Sequence, residues 1–140
     1  MKHILYLPSW YPSELDTFTG DFIQRHALAL SLFMPAHVVF IVRDKNKKTA
    51  TPIRIEEKTT GNLTETIIYY TSRSYAVGFI DRLISIRKYN SVYKQFFSKW
   101  ITQNGKPFAV HVHVPYKAGL IALWLKKRYN LNYYVTEHWA

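Results

Sequence analysis

Short apolar runs alternating with stretches of helical periodicity constrain this chain more than any other feature. Ile4-Leu5-Tyr6-Leu7 is closed by Pro8, and a run so short, stopped by proline, suits a buried strand. After a Pro-, Ser-, Asp- and Thr-containing loop, Gly20-Asp21 opens a predicted helix in which Phe22, Ile23, His26, Ala27 and Leu30 recur at helical spacing. Asp21 suits the positive end of that helix, and Pro35 stops it. Val38 to Val42 is a continuous β-branched-rich run, the pattern of a strand covered on both faces. Strand, helix and strand in that order make a parallel crossover unit.

The rest of the chain repeats the theme around one insertion. Arg43 to Thr51 is polar and basic and reads as an exposed loop. Ile53 to Lys58 and Leu63 to Tyr70 flank Gly61-Asn62, which predicts a hairpin. Gly78 to Gln103 is a long predicted helix. Phe79, Ile80, Leu83, Ile84, Val92, Tyr93, Phe96, Phe97 and Trp100 form its apolar stripe, and Asn104-Gly105 and Pro107 form its stop. Phe108 to Val114 is the next strand, and Pro115 starts a helix reaching Tyr129 with Lys126, Lys127 and Arg128 in its last turns. Tyr133 to Thr136 is a final strand. The predicted fold is a doubly wound, Rossmann-like α/β domain: a mostly parallel sheet with a hairpin insertion. With 140 residues it suits one hydrophobic core. The last strand, followed by only four residues, is expected to lie bare unless another segment covers it.

Charge and composition narrow the partners. Nineteen basic against nine acidic residues give a net charge of +10, which favours phosphate-bearing ligands, an anionic bilayer surface or nucleic acid. The basic residues are scattered and no nucleic-acid motif is present, so nucleic acid is not expected. With no cysteine, disulfides, thiolate metal sites and a cysteine nucleophile are excluded. No Gly-x-Gly-x-x-Gly or P-loop pattern occurs. Arg82, Arg87, Lys88, Lys94 and Lys99 accompany the apolar stripe of the long helix. Such a helix either packs on a core with a solvated basic face or lies on an anionic membrane. No apolar stretch reaches the roughly 20 residues of a membrane span, so the expected setting is cytoplasmic, with a peripheral position on the inner face of the membrane as one version of it.

In an open parallel sheet, ligands sit beyond the carboxyl ends of the strands. Three such ends carry chemistry here: Ser9-Trp10-Tyr11 running to Gly20, His113-Val114-Pro115-Tyr116, and Glu137-His138-Trp139. Gly20 at a helix start leaves backbone N–H groups open to a phosphate, or simply completes a turn. Glu137 and His138 can serve as acid or base near neutral pH. His111 and His113 alternate onto one face, but too few companions exist for a metal site, and none is expected.

Leu7-Pro8-Ser9-Trp10-Tyr11-Pro12, then Gly20, Phe22, Ala27, Ala29 and Leu30 in one register, resemble the opening of family-four retaining glycosyltransferases. His111-Val112-His113 with Ala118-Gly119, and Thr136-Glu137-His138, resemble two further segments of the same domain. The resemblance implies the N-terminal, acceptor-side half (residues 1–140) of a GT-B enzyme. A separate C-terminal domain, absent from this chain, would bind most of a nucleotide-activated sugar. It implies transfer of a hexose to a lipid-linked or polysaccharide acceptor with retained anomeric configuration, without a metal or cofactor, and no activity for this half alone. Carried over residue by residue, it places His138 and Glu137 at the reacting centre, Gly20 near the donor diphosphate, and Trp10, Tyr11, His113 and Tyr116 on the acceptor side. The alternative is a non-catalytic α/β domain that binds an anionic membrane or a partner protein.

Overall fold

The computed structural model describes residues 2–45, 52–72 and 78–138. The order of elements is β1 (Ile4–Pro8), α1 (Asp21–Ser31), β2 (Ala36–Arg43), β3 (Ile53–Thr60), β4 (Leu63–Tyr70), α2 (Gly78–Asn104), β5 (Ala109–His113), α3 (Pro115–Tyr129) and β6 (Tyr133–Thr136). The strands form one six-stranded sheet in the order β3-β4-β2-β1-β5-β6. All neighbours are parallel except β3 and β4, which pair as a hairpin closed by Gly61 and Asn62. Gly61 takes φ +58° there, a conformation only glycine adopts freely. The chain is thus a Rossmann-like, mostly parallel α/β fold.

Both faces of the sheet are covered, as the continuous apolar strands require. On one face Leu5, Leu7, Val39, Ile41, Val110 and Val112 pack with Tyr89, Val92, Phe97 and Trp100 of α2 and with Ala118, Ile121 and Leu125 of α3. On the other, Tyr6, Val38 and Phe40 pack with Ile23 and Ala27 of α1 and with Tyr11. Strand order therefore runs outward from β1 in two directions: through β2 by way of α1 on one face, and through β5 and β6 by way of α3 on the other. The reversal lies between β1 and β5.

Three expectations about surfaces are corrected. Phe79, Ile80 and Leu83, assigned to the core-facing stripe of the long helix, are 69, 40 and 46% exposed. The reason is length: α2 has 27 residues and spans about 40 Å, whereas an eight-residue strand spans about 26 Å. The first turns of α2 therefore overhang the sheet. The predicted loop from Arg43 begins later than expected, since Arg43 closes β2 in register with Tyr70 and Asp44 is buried; positions 46–51 lie outside the described residues. The third correction concerns Tyr11, whose side chain is only 2% exposed. Tyr134 and Val135 of the edge strand β6 are exposed, in keeping with the bare last strand read from the sequence.

Candidate functional site

The loops that leave β1 and β5 diverge at the reversal of strand order, the place where open α/β sheets bind ligands. They are tied together there. Ser9 donates its N–H to the carbonyl of His113 (3.0 Å). Its hydroxyl accepts the N–H groups of Lys117 (3.2 Å) and Ala118 (3.0 Å) in the first turn of α3. Val114, the residue before that helix, has no capping side chain of its own, so Ser9 caps α3 from a distant loop. Spacing within the chain could not show this, because the cap lies 109 residues from the N–H it serves.

Val114 itself has φ 61° and ψ 96°. A β-branched side chain at positive φ is strained by roughly 1–3 kcal/mol. The strain is held by the Val114 N–H, which donates to the Thr136 carbonyl (2.9 Å), and by burial of the side chain against the α1 side of the core. The turn brings the ends of β5 and β6 into contact immediately after His113.

His113 is buried, with 1% exposure, and its Nδ1 lies 3.0 Å from Nε2 of His138. The two rings stack at 5.3 Å with an interplanar angle of 10°. His111 lies beside His113 at 4.0 Å between ring centres, Tyr6 sits against both, and Phe22 and His26 of α1 close over them. His111 pairs with Thr136 Oγ1 at 2.7 Å. Burial first, and then the neighbouring His111, His138 and His26, push His113 down to about 3. Burial also lowers His111 and His138. His111, His113 and His138 are therefore neutral at physiological pH.

The tautomers follow from satisfaction of hydrogen bonds. Nε2 of His113 is buried without a partner. An orphaned acceptor is tolerated better than an orphaned N–H. His113 thus carries its proton on Nδ1 and donates to His138, whose own proton is then on Nδ1. His138 becomes a neutral, oriented hydrogen-bond donor. No group of three or more metal-ligating side chains forms a cage among the described residues.

Of the residues singled out from sequence, the structure brings His113 and His138 into direct contact. Trp10 (39% exposed) stands in the loop after β1 and Tyr116 (78% exposed) in the first turn of α3, and Glu137 is exposed after β6; Trp139 lies outside the described residues. Tyr11 faces inward instead. Its hydroxyl donates to buried Glu65, which also accepts the Gln24 side-chain amide at 2.8 Å; burial, then Glu65, raises the phenol far above its usual value. Tyr11 braces α1 against β4 and touches no ligand space. Gly20 has φ +82° and caps α1 through its backbone. A Cβ on it would meet the Trp10 carbonyl carbon at 2.5 Å and the Tyr11 nitrogen at 2.6 Å. The glycine is required by the close pass of the Trp10–Tyr11 peptide, a reason absent from its position in the sequence.

A groove of about 510 Å³ lies elsewhere, between the hairpin and the second half of α2, lined by His37, Ile55, Glu57, Phe96 and Trp100. It offers little chemistry. His37 accepts the Trp100 indole N–H (3.1 Å) and pairs with Thr66 (2.9 Å), and burial holds it down to about 4. Both ring nitrogens are already used.

Comparison with protein-family models, with curated proteins and with solved structures found no match for this chain.

Proposed function

We propose that this chain is the acceptor-side domain of a retaining glycosyltransferase, working with a separate nucleotide-sugar-binding domain. The observation that carries the reading is the position of the His113–His138 pair at the reversal of strand order, with exposed Trp10 and Tyr116 just beyond the ends of β1 and β5. Aromatic faces suit the apolar faces of a sugar. A neutral imidazole held by a buried partner is a preorganised dipole beside a reacting sugar carbon. In an oxocarbenium-like transition state such a dipole acts without reorganising. His138 is the residue expected to touch the sugar, His113 positions it, and Trp10 and Tyr116 hold the acceptor. Gly20 keeps the α1 end close to the β1 loop, which supports a role beside the donor diphosphate through backbone N–H groups.

Two observations test this. The reading frame beyond Ala140 is expected to encode a second α/β domain; a stop codon there removes the main support for an enzyme. In the two-domain protein, His138→Ala is expected to lower hexose transfer from a nucleoside diphosphate sugar by about tenfold or more, and unchanged turnover excludes His138 from the site.

A second reading has an observation of its own. Phe79, Ile80, Leu83 and Ile86 are exposed on the overhanging end of α2, next in sequence to Arg82, Arg87 and Lys88. An apolar stripe beside cations suits the surface of an anionic bilayer. Co-sedimentation with anionic but not neutral vesicles, weakened by salt, is the expected result; equal recovery with both ends this reading.

A further inference from the structure

We propose a second ligand site on the same sheet edge, formed by Arg43, Lys45 and Lys117 around the Tyr70–Tyr89 pair, that holds a phosphate-bearing group.

Four elements meet there. Arg43 ends β2 in register with Tyr70, which ends β4, and the Asp44 N–H donates to the Tyr70 carbonyl at 2.8 Å. The Tyr70 ring lies 6.2 Å from that of Tyr89 on α2. The ammonium of Lys117, in the first turn of α3, lies 5.8 Å from the centre of the same Tyr89 ring. Lys117 therefore reaches over α2.

Three cations in one place repel unless something compensates them. Lys117 is held below the usual lysine value, first by burial and then by the charges of Lys45 and Arg43. Asp44, between Arg43 and Lys45 in the chain, is buried and has contacts of its own. Nε of Arg43 is buried without a hydrogen-bond partner, as is Oδ1 of Asp44 beside it, while the buried Tyr70 hydroxyl is approached by Ser85. Tyr70 is 1% exposed. A buried donor left unmade is costly, and an anion seated between Arg43, Tyr70 and Lys117 would satisfy the Arg43 N–H while relieving the repulsion. Phosphate oxygens suit a guanidinium and two ammonium groups. The end of α3 is not needed for this, because its Lys117 and Ala118 N–H groups are taken by Ser9.

The site does not rest on glycosyl transfer, and its test reads binding alone. Inorganic phosphate and pyrophosphate are titrated into the whole chain by calorimetry at low salt, with Lys117→Met and Lys45→Met as variants. Methionine keeps the apolar stem of Lys117 over Tyr89, so folding, checked by circular dichroism, is expected to survive. The expected result is saturable binding by the wild type, weakened roughly tenfold to a hundredfold in each variant. Phosphatidylglycerol vesicles form a parallel arm. Vesicle binding weakened by Lys117→Met and competed by free phosphate assigns the group to a lipid headgroup, whereas binding of phosphate with no such vesicle effect assigns it to a soluble phosphoester. No saturable phosphate binding at about 10 mM, or equal binding by wild type and both variants, overturns the site.

Discussion

His113 Nδ1 sits 3.0 Å from His138 Nε2, and one ring is buried while the other reaches the surface. The pair links the ends of β5 and β6 and fixes the proton of the exposed imidazole on its outer nitrogen. A neutral histidine is far less costly to bury than a charged one, and it orients its neighbour. This division of labour, with one ring anchoring and one reaching, is the core of the site.

Glycine at position 20 is the least replaceable residue of the β1 loop. Gly20→Ala forces a side chain into φ +82°, which costs about 1–2 kcal/mol by itself, and drives a Cβ into the Trp10–Tyr11 peptide. Urea denaturation is expected to show a loss of more than that amount, together with a shift in Trp10 fluorescence. A variant as stable as the parent contradicts the close approach.

Ser9→Ala removes the distant cap of α3. The expected loss is about 0.5–2 kcal/mol, read by denaturant midpoint, with faster hydrogen exchange confined to the Lys117 and Ala118 amides. If those amides exchange at the parental rate, the cap is not formed.

Tyr11→Phe takes one of the two donors from Glu65 without changing the packing of the ring. A buried carboxylate losing a hydrogen bond is expected to lower stability by about 1–3 kcal/mol. Because Tyr11 is buried, acceptor affinity is expected to stay unchanged once stability is allowed for, and a selective loss of affinity would return Tyr11 to the ligand surface.

Acid is expected to weaken the fold. His37 is held down to about 4 and His113 to about 3, while an unfolded histidine titrates near about 6.5. Between those values the unfolded chain binds more protons than the folded one, so stability is complete above about pH 6.5 and is lost as pH falls through that window. His37 alone accounts for on the order of 3 kcal/mol. Melting temperature measured from pH 8 to pH 4 is expected to be flat at first and then to fall; a flat profile down to pH 4.5 means these rings are not buried neutral.

The fold was legible because β1 and β2 read as continuous apolar runs and Gly61-Asn62 marks the hairpin without ambiguity. Less legible was which positions face what. Phe79 and Leu83 have core-like spacing, yet the helix outruns the sheet beneath it. Tyr11 sits in a loop like Trp10 but points the other way, toward Glu65, a pairing across 54 residues that no local pattern encodes. The three loops of the site could be read from strand ends, since a parallel sheet collects them on one edge. The links among them could not: Ser9 to α3, Val114 to Thr136 and His113 to His138 are all tertiary.

The most direct test of the central claim is a titration of the isotopically labelled chain with methyl hexopyranosides, following amide, indole and imidazole resonances by NMR. The site described here is expected to give saturable shifts concentrated on Trp10, Tyr116 and His138. Shifts confined to the groove between the hairpin and α2, or none at any of those three residues, would contradict it.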